Sequence, residues 1–194
     1  MSTETAGRAK IKDVTFAFLD VETTGLSSGA DRICEVAVLR SRGGKKVDFF
    51  SSLIHPERAI PPEAEKIHGI SDAMVASSPP FFAVAGQLYT ALEGSVIVCH
   101  NAPFDMAFVK AELERSGLGL PPSPVLDTLL MARRHFRFES NRLGAIARHL
   151  KIESGGWHRA GRDVEILSLV FESFLKEFDQ NGADTLQDLM LLGR

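Results

Sequence analysis

Apolar residues near the start of the chain fall into short runs, at residues 14–20, 33–40 and 47–54. Runs of this length, bounded by polar or glycine-rich turns, are typical of strands. The second and third runs are joined by the sequence RGG at residues 42–44, which is short enough for a hairpin. These short connections predict three strands in an antiparallel meander.

The rest of the chain alternates between helical spacing and brief apolar strands. Proline near the start and glycine past the end mark several of the helices. Helices are predicted at residues 59–70, 82–92, 104–116, 142–150, 159–178 and 184–192 and in the stretch that ends at 136, with strands at 96–100 and 125–126. The pattern predicts an α/β fold in which helices cover a mixed sheet. Residues 1–12 are interpreted as a flexible lead-in, 13–180 as the main domain and 181–194 as a C-terminal helical extension.

Composition places the chain among ordinary globular proteins, with 44% hydrophobic and 24% charged residues in a length of 194. No apolar run approaches the roughly 20 residues that a membrane span needs, so no membrane partner is expected. The two cysteines, Cys34 and Cys99, lie inside apolar runs, which predicts buried free thiols and a cytoplasmic location. The formal net charge of −3 by itself disfavours nucleic acid, because proteins that grip a duplex backbone are usually basic.

Two carboxylates interrupt the apolar stripe of the first strand. Alternation along that strand places Asp20 and Glu22 on the same face as Phe16 and Phe18. Like charges so close together repel each other and raise a pKa, and a bound cation would relieve that repulsion. The alternative, a polar strand end that runs into a turn, stays open for this segment taken alone.

Two aspartates repeat this arrangement on helices. Asp105 precedes the apolar face of the helix at 104–116, and Asp163 precedes that of the helix at 159–178. Either aspartate alone is explained by the preference of carboxylates for a helix N-terminus. Four carboxylates, each at the top of an inward-facing apolar stripe, indicate a site for Mg²⁺ or Mn²⁺, because these ions prefer oxygen ligands. Two such ions about 4 Å apart form the clamp that cleaves phosphodiesters.

Several other polar residues have roles that depend on this carboxylate set. His158, five residues before Asp163, is a candidate general base, because histidine titrates near neutral pH; a surface-loop histidine is the simpler interpretation without the carboxylates. His100 is expected to be structural and Asp127 to be a helix N-cap. Five arginines form a basic stretch, for which a solvated face is the default and phosphate binding the alternative: Arg133, Arg134, Arg137, Arg142 and Arg148.

Three segments of the chain together resemble the motifs of a nuclease family. They are FLDVETTGL at residues 18–26, HNAPFDMAF at 100–108, and HRAGRD at 158–163. In residue types, order and spacing they resemble the DnaQ-like 3'–5' exonucleases, in the DEDDh branch of that family. The segment at 60–70 and the dipeptide at 127–128 also resemble the family, so the similarity spans about residues 14–175.

The resemblance implies a ribonuclease H-like fold with a five-stranded sheet of strand order 3-2-1-4-5, strand 2 being antiparallel to the others. It implies two Mg²⁺ or Mn²⁺ ions and release of nucleoside 5'-monophosphates from a 3' end. The implied catalytic set consists of Asp20, Glu22 and Asp163 as ligands of one ion, with His158 as the base. Asp20 is also implied to bridge to the second ion, which Asp105 supports. The residues implied to line the terminal nucleotide are Thr23, Thr24, Leu26, His68, Asn101 and Phe104.

Single-stranded nucleic acid with a free 3' end is therefore the expected partner, with DNA favoured and a DNA polymerase subunit as a candidate protein partner. An RNA-trimming or oligonucleotide-degrading exonuclease is the alternative. A non-catalytic nucleic-acid-binding module ranks lower, because every catalytic residue type is present, and the motif order disfavours an unrelated magnesium phosphohydrolase. Two bound divalent ions would change the formal net charge from −3 to +1, so the charge then no longer disfavours nucleic acid.

Overall fold

The three apolar runs at the start of the chain form three neighbouring strands. The computed structural model describes residues 8–152 and 159–193. The strands are β1 (Thr15–Thr23), β2 (Ile33–Arg42) and β3 (Lys45–Leu53). β2 pairs antiparallel with both β1 and β3, and Gly43 and Gly44, both at positive φ, suit the tight turn between β2 and β3. The predicted meander is confirmed, and β1 is long enough to include Glu22.

Two short parallel strands complete the sheet. Strand β4 (Val96–Cys99) pairs with β1, and β5 (Val125–Asp127) pairs with β4. The five strands lie in the order β3-β2-β1-β4-β5, with β2 antiparallel to the others. This confirms the expected α/β fold, its strand order 3-2-1-4-5 and its ribonuclease H-like arrangement.

Helices connect the strands and cover both faces of the sheet. Those before β4 are α1 (Pro62–His68), α2 (Asp72–Val75) and α3 (Phe81–Leu92). Those after β4 are α4 (Ala102–Arg115), α5 (Thr128–His135), α6 (Leu143–His149), α7 (Ala160–Gln180) and α8 (Leu186–Leu192). The predicted helices are confirmed. Helix α2 was not predicted, because four residues are too few to show a helical repeat.

Alternation along β1 divides the core between the two faces of the sheet. Phe16 and Phe18 contact Phe171 of α7, with ring centroids 5.0 and 5.7 Å apart. Leu19 belongs to the opposite face, which α3 and α4 cover. Asp20 has the same parity as the two phenylalanines, so the first carboxylate emerges on the face between the sheet and α7.

The described N-terminal residues and α8 pack against each other. Lys10 forms a β-bridge with Thr185, and the backbone N–H of Leu186 donates to the carbonyl of Ala9. Leu186 and Leu189 are buried in the core, so this part of α8 docks on the domain itself. The divisions after residues 12 and 180 stay predictions.

Two expectations from composition can be compared with the fold. Cys34 and Cys99 are buried and free, as predicted. Among the helices in the described ranges, none is both long and apolar enough to cross a bilayer. The cytoplasmic location stays a prediction.

Candidate active site

Three of the four predicted metal ligands come together at the end of β1. Asp20 and Glu22 lie two residues apart on β1, and Asp163 lies in the first turn of α7. One carboxylate oxygen from each residue lies within 4.8 Å of the other two. Oxygens at that spacing can share one divalent cation with little movement. The fold thus brings together carboxylates from the first strand and from a late helix.

Asp105 is close to this group but outside it. It lies in the first turn of α4, is 4% exposed, and its Oδ1 accepts a hydrogen bond from the backbone N–H of Val21 at 3.3 Å. After burial, the charge of Asp105 is the largest cause of the raised pKa of Asp20. This position suits a residue that supports a second ion, which is the role that the motif resemblance implies.

Burial and mutual repulsion raise the pKa values of these carboxyl groups and so favour their protonated forms. Burial, followed by the charge of Asp105, raises the pKa of Asp20 well above its ordinary value. Burial, followed by the charge of Asp163, raises the pKa of Glu22 to about 8, and burial raises the pKa of Asp105 to about 8. Crowded carboxylates ionise together only when a cation offsets their charge. The all-oxygen donor set therefore fits divalent cations, and Mg²⁺ or Mn²⁺ in particular.

A further buried acid, Glu35 of β2, was not predicted as part of the site. It is 3% exposed and lies directly opposite Glu22 in the sheet, where like charges destabilise. The guanidinium of Arg159 donates to both carboxylate oxygens at 2.8 to 3.2 Å, and the backbone N–H of Ala160 donates at 2.9 Å. Because Arg159 directly precedes α7, Glu35 ties the start of that helix to β2 and so positions Asp163.

The last residue of β1 and the loop that follows it carry three of the predicted nucleotide-lining residues. Thr23 and Thr24 are buried, and both hydroxyls bond within the loop. Thr23 donates to the Gly25 carbonyl at 2.6 Å, and Thr24 accepts from the Arg32 N–H at 3.1 Å. Leu26 is 87% exposed, so it is the residue of the three that offers a large apolar surface to a ligand.

The other three predicted nucleotide-lining residues differ in access. His68 is 4% exposed, and its Nε2 lies 3.9 Å from the Sγ of Cys34. Asn101 is exposed, adopts the left-handed conformation (φ 81°), and its backbone N–H donates to Asp127 at 3.1 Å. Phe104 is half-buried in the first turn of α4. Asn101 and Phe104 are thus accessible beside Asp105, and the substrate contacts of all six residues stay predictions.

The predicted general base, His158, lies outside the described residues.

Asp127 is confirmed as the N-cap of α5, where it accepts hydrogen bonds from two backbone N–H groups. His100 has structural partners, as expected. Its Nδ1 is 2.9 Å from the hydroxyl of Thr128 and its Nε2 donates to the carbonyl of Asn141 at 2.8 Å, and burial lowers its pKa.

Comparison with known proteins assigns a family to this fold and site. The family model RNase_T, described as an exonuclease, matches residues 17–171. The chain is 37% identical over 181 residues to the 3'-5' exonuclease DinG of Bacillus subtilis (strain 168), and 32% identical over 184 residues to a PolC-type DNA polymerase III of Bacillus cereus. The chain therefore belongs to the exonuclease family, among the DnaQ-like 3'–5' exonucleases, and the resemblance seen in its motifs is confirmed.

These alignments cover nearly all of this chain and little of the relatives. They span 92% of the chain and 19% of DinG, and 93% of the chain and 13% of the PolC-type polymerase. The chain thus spans less than a fifth of the length of these relatives.

Solved structures show the same fold. Exonuclease X in complex with 5' overhanging duplex DNA matches with a TM-score of 0.70 and 27% identity, covering 92% of this chain and 99% of that one. A product-bound exonuclease I matches with a TM-score of 0.74 and 18% identity, covering 87% and 46%, which shows the fold alone. The exonuclease family is metal-dependent, in agreement with the acidic cluster.

Proposed function

We propose that the chain is a metal-dependent 3'–5' exonuclease that hydrolyses single-stranded nucleic acid from its 3' end. Nucleoside 5'-monophosphates are the products, and DNA is the favoured substrate. The observation that carries this proposal is the group of three carboxylates, Asp20, Glu22 and Asp163, in a chain of the DnaQ-like family. Raised carboxyl pKa values in this group support it, because they are typical of residues placed for function rather than for stability.

The four predicted carboxylates provide the proposed metal ligands. Asp20, Glu22 and Asp163 hold one Mg²⁺ or Mn²⁺ ion, and Asp105 supports a second. When bound, such a pair of ions activates a water and stabilises the leaving oxygen. The protein contributes the arrangement, in which β1, α4 and α7 hold the carboxylates close together.

His158 is the proposed base that takes a proton from the attacking water. A neutral imidazole suits this task because its ordinary pKa is near the working pH. The residue after it, Arg159, is anchored to Glu35, so the chain is held one residue from the proposed base. Exposed Leu26 and half-buried Phe104 are the proposed contacts of the terminal nucleoside, because apolar and aromatic side chains pack against any base. The other four predicted lining residues keep that role in the proposal.

DNA is favoured over RNA because the named relatives are DNA-related proteins. One is a PolC-type DNA polymerase III, and exonuclease X was solved with duplex DNA. A DNA polymerase is also the proposed protein partner, since the PolC-type relatives contain a segment similar to this chain. Co-purification with the replicative polymerase would support this partner, and its absence in crosslinked cells would contradict it.

The central experiment follows a 5'-labelled strand through the reaction. Single-stranded DNA and RNA of the same sequence are incubated with Mg²⁺ or Mn²⁺ and with wild type, Asp20→Ala or Asp179→Ala. Asp179 is a matched control, because it is an exposed carboxylate on the same helix as Asp163. We expect ladders that shorten from the 3' end, lost in Asp20→Ala and kept in Asp179→Ala. Absence of cleavage of either polymer with either metal would refute the proposed function.

A further inference from the structure

A cleft of about 460 Å³ adjoins the carboxylate group. Its lining includes Asp20 and Asp163 together with two arginines, Arg133 of α5 and Arg142, the N-cap residue of α6. The other three arginines of the basic stretch do not line it. The sequence gives no reason to distinguish the five arginines from one another. The fold places two of them in the same cleft as the proposed metal ligands.

Neither of these arginines forms an ion pair with an acid in the described part of the chain. Within residues 8–152 and 159–193, no carboxylate lies within ion-pair distance of the Arg133 or Arg142 guanidinium, although Asp20 and Asp163 share the cleft. Both arginines are exposed. A guanidinium without an internal partner is available for an anionic ligand, and phosphate oxygens match its planar fork of donors.

Partly buried hydrogen bonds fix the two arginine-bearing segments relative to each other. The ring of His100, which directly follows β4, donates from Nε2 to the carbonyl of Asn141, the residue before Arg142. Its Nδ1 lies 2.9 Å from the hydroxyl of Thr128, in the first turn of the helix that carries Arg133. His100 thereby joins both segments to the strand beside β1. The amide oxygen of Asn141 is also buried without a partner within the described part of the chain.

We propose that Arg133 and Arg142 bind the phosphodiester group on the 5' side of the scissile one. This inference rests on the proposed exonuclease function. In a strand with a free 3' hydroxyl, the first bond to be cut contains the phosphate nearest the 3' end, and that phosphate lies at the carboxylates. Every other phosphate of the strand is on its 5' side. A basic surface that shares a cleft with the carboxylates therefore meets the 5' portion of the strand.

Binding by the two arginines depends on the length of the substrate. A dinucleotide with no terminal phosphate has one phosphodiester group, the scissile one, so it cannot reach the arginines. A trinucleotide has two and can. The contact is with the backbone, so it adds affinity for every sequence alike. The arginines should thus favour strands over dinucleotides without creating a base preference.

The test compares thymidine di- and trinucleotides with wild type, Arg133→Gln, Arg142→Gln and the double variant. Arg134→Gln is the matched control, because Arg134 is exposed on the same helix as Arg133 and does not line the cleft. We expect each cleft variant to lower kcat/KM for the trinucleotide on the order of tenfold. For the dinucleotide, and for the control on both substrates, the change should stay within about twofold. A trinucleotide with an uncharged methylphosphonate as its 5' linkage lacks the charge that the arginines bind. With wild type, its kcat/KM should fall by the factor that the double variant shows on the ordinary trinucleotide. With the double variant, the methylphosphonate should cause no further fall.

Equal losses on both substrates, or none on the trinucleotide, would overturn the phosphate assignment while leaving the exonuclease function intact. Binding of a single-stranded decathymidylate, followed by fluorescence anisotropy with Ca²⁺ as a function of salt, tests the assignment independently of cleavage. The double variant should bind more weakly, and its log–log salt slope should be smaller by about 0.7 for each phosphate that it no longer neutralises. An unchanged salt slope in the double variant would overturn the phosphate assignment, whether or not the protein cleaves the strand. Absence of cleavage is a separate result, and it would refute the exonuclease function.

Discussion

The Glu35 carboxylate and the Arg159 guanidinium form a bidentate ion pair that joins β2 to the residue before α7. The carboxylate side chain is 4% exposed and the arginine side chain 45% exposed. A partly exposed guanidinium therefore neutralises a buried carboxylate. It offsets a negative charge directly opposite Glu22, and it holds the turn that carries Asp163.

Removing Arg159 should cost more stability than neutralising Glu35. Arg159→Ala leaves the Glu35 carboxylate buried and unpaired beside Glu22, and we expect a loss of about 1–3 kcal/mol, moderated because the guanidinium is partly in water. Glu35→Gln keeps an acceptor for the N–H of Ala160 and removes one of the crowded charges, so its loss should be smaller. Urea unfolding in EDTA near neutral pH measures both. A larger loss for Glu35→Gln than for Arg159→Ala would contradict this role of the ion pair.

The role of Glu35 lies beyond what the sequence alone predicts. The strands followed from apolar runs and short turns, and the carboxylates from their places on inward-facing apolar stripes, whereas the strand order was implied by the resemblance of the motifs to a family. Glu35 had a comparable signal, a carboxylate inside the apolar segment ICEVAVL at residues 33–39, and buried acids are rare unless paired. Its partner Arg159 has no signal of its own, because an arginine before a helix is ordinary. The pairing became visible only when β2 and α7 were placed side by side.

The basic stretch shows a second limit. Helical spacing cannot separate Arg133 from Arg134 without knowing which face of α5 meets the cleft. Arg142 precedes its helix, so periodicity says nothing about its direction. Both were assigned by tertiary placement beside Asp20 and Asp163. Residues whose role depends on a neighbour distant in sequence are therefore the ones that the pattern of a single chain leaves open.

The metal-free protein should lose stability as the pH rises from about 5 to about 8. The pKa of Glu22 rises from 4.5 to about 8 on folding, and that of Asp105 from 3.8 to about 8. Between these values the unfolded chain has released protons that the folded chain keeps, so raising the pH favours unfolding. Below the ordinary pKa values both groups are protonated in the folded and the unfolded state, so they do not lower the free energy of unfolding. Above about pH 8 both groups are ionised in both states, and the loss in free energy of unfolding is complete.

Thermal unfolding in EDTA at about pH 6 and about pH 8.5 measures this dependence. Glu22→Gln is the control, since it removes one titrating group and should flatten the decrease in Tm. Added Mg²⁺ or Mn²⁺ should raise the Tm more at the higher pH, where ligands release fewer protons on binding. A wild-type Tm that is independent of pH in EDTA, or equally steep in Glu22→Gln, would contradict the prediction.

Neutralising Asp20 should stabilise the metal-free protein while abolishing metal binding. Asp20→Asn removes a partly buried carboxyl group whose ionised form is repelled by Asp105 and Glu22. In EDTA at about pH 8 its Tm should exceed that of wild type, by roughly 2–4 °C for each kcal/mol of relieved repulsion. Added Mn²⁺ should raise the Tm of wild type and leave that of Asp20→Asn unchanged.

Asp105→Asn separates the cluster from its neighbour. Because Asp105 lies outside the group of three oxygens, this variant should keep a Mn²⁺-induced rise in Tm. The rise at a given Mn²⁺ concentration should be smaller than that of wild type. Titration of the Tm against Mn²⁺ distinguishes the two variants. Loss of the whole response in Asp105→Asn, or its retention in Asp20→Asn, would reverse the assignment of the first ion's ligands.

Gly25 should be sensitive to the addition of a single methyl group. A Cβ at Gly25 would lie 2.6 Å from the carboxyl carbon of Asp31, closer than side chains approach. The Asp31 carboxylate accepts hydrogen bonds from the Ser27 N–H and from Arg58, both at 3.0 Å, so it holds the loop that carries Leu26. Gly25→Ala must displace this carboxylate or the loop, and we expect KM for single-stranded substrate to rise more than kcat falls.

The double variant Gly25→Ala/Asp31→Ala tests that cause. Asp31→Ala alone should also raise KM, because the loop loses its acceptor, but in the double variant the clash is absent. The combined effect should therefore be smaller than the product of the two single effects, which a double-mutant cycle on kcat/KM measures. Independent effects would show that the methyl group acts elsewhere. A Gly25→Ala protein with lower Tm and unchanged KM would show that the loop, and Leu26 with it, does not contact the terminal nucleotide.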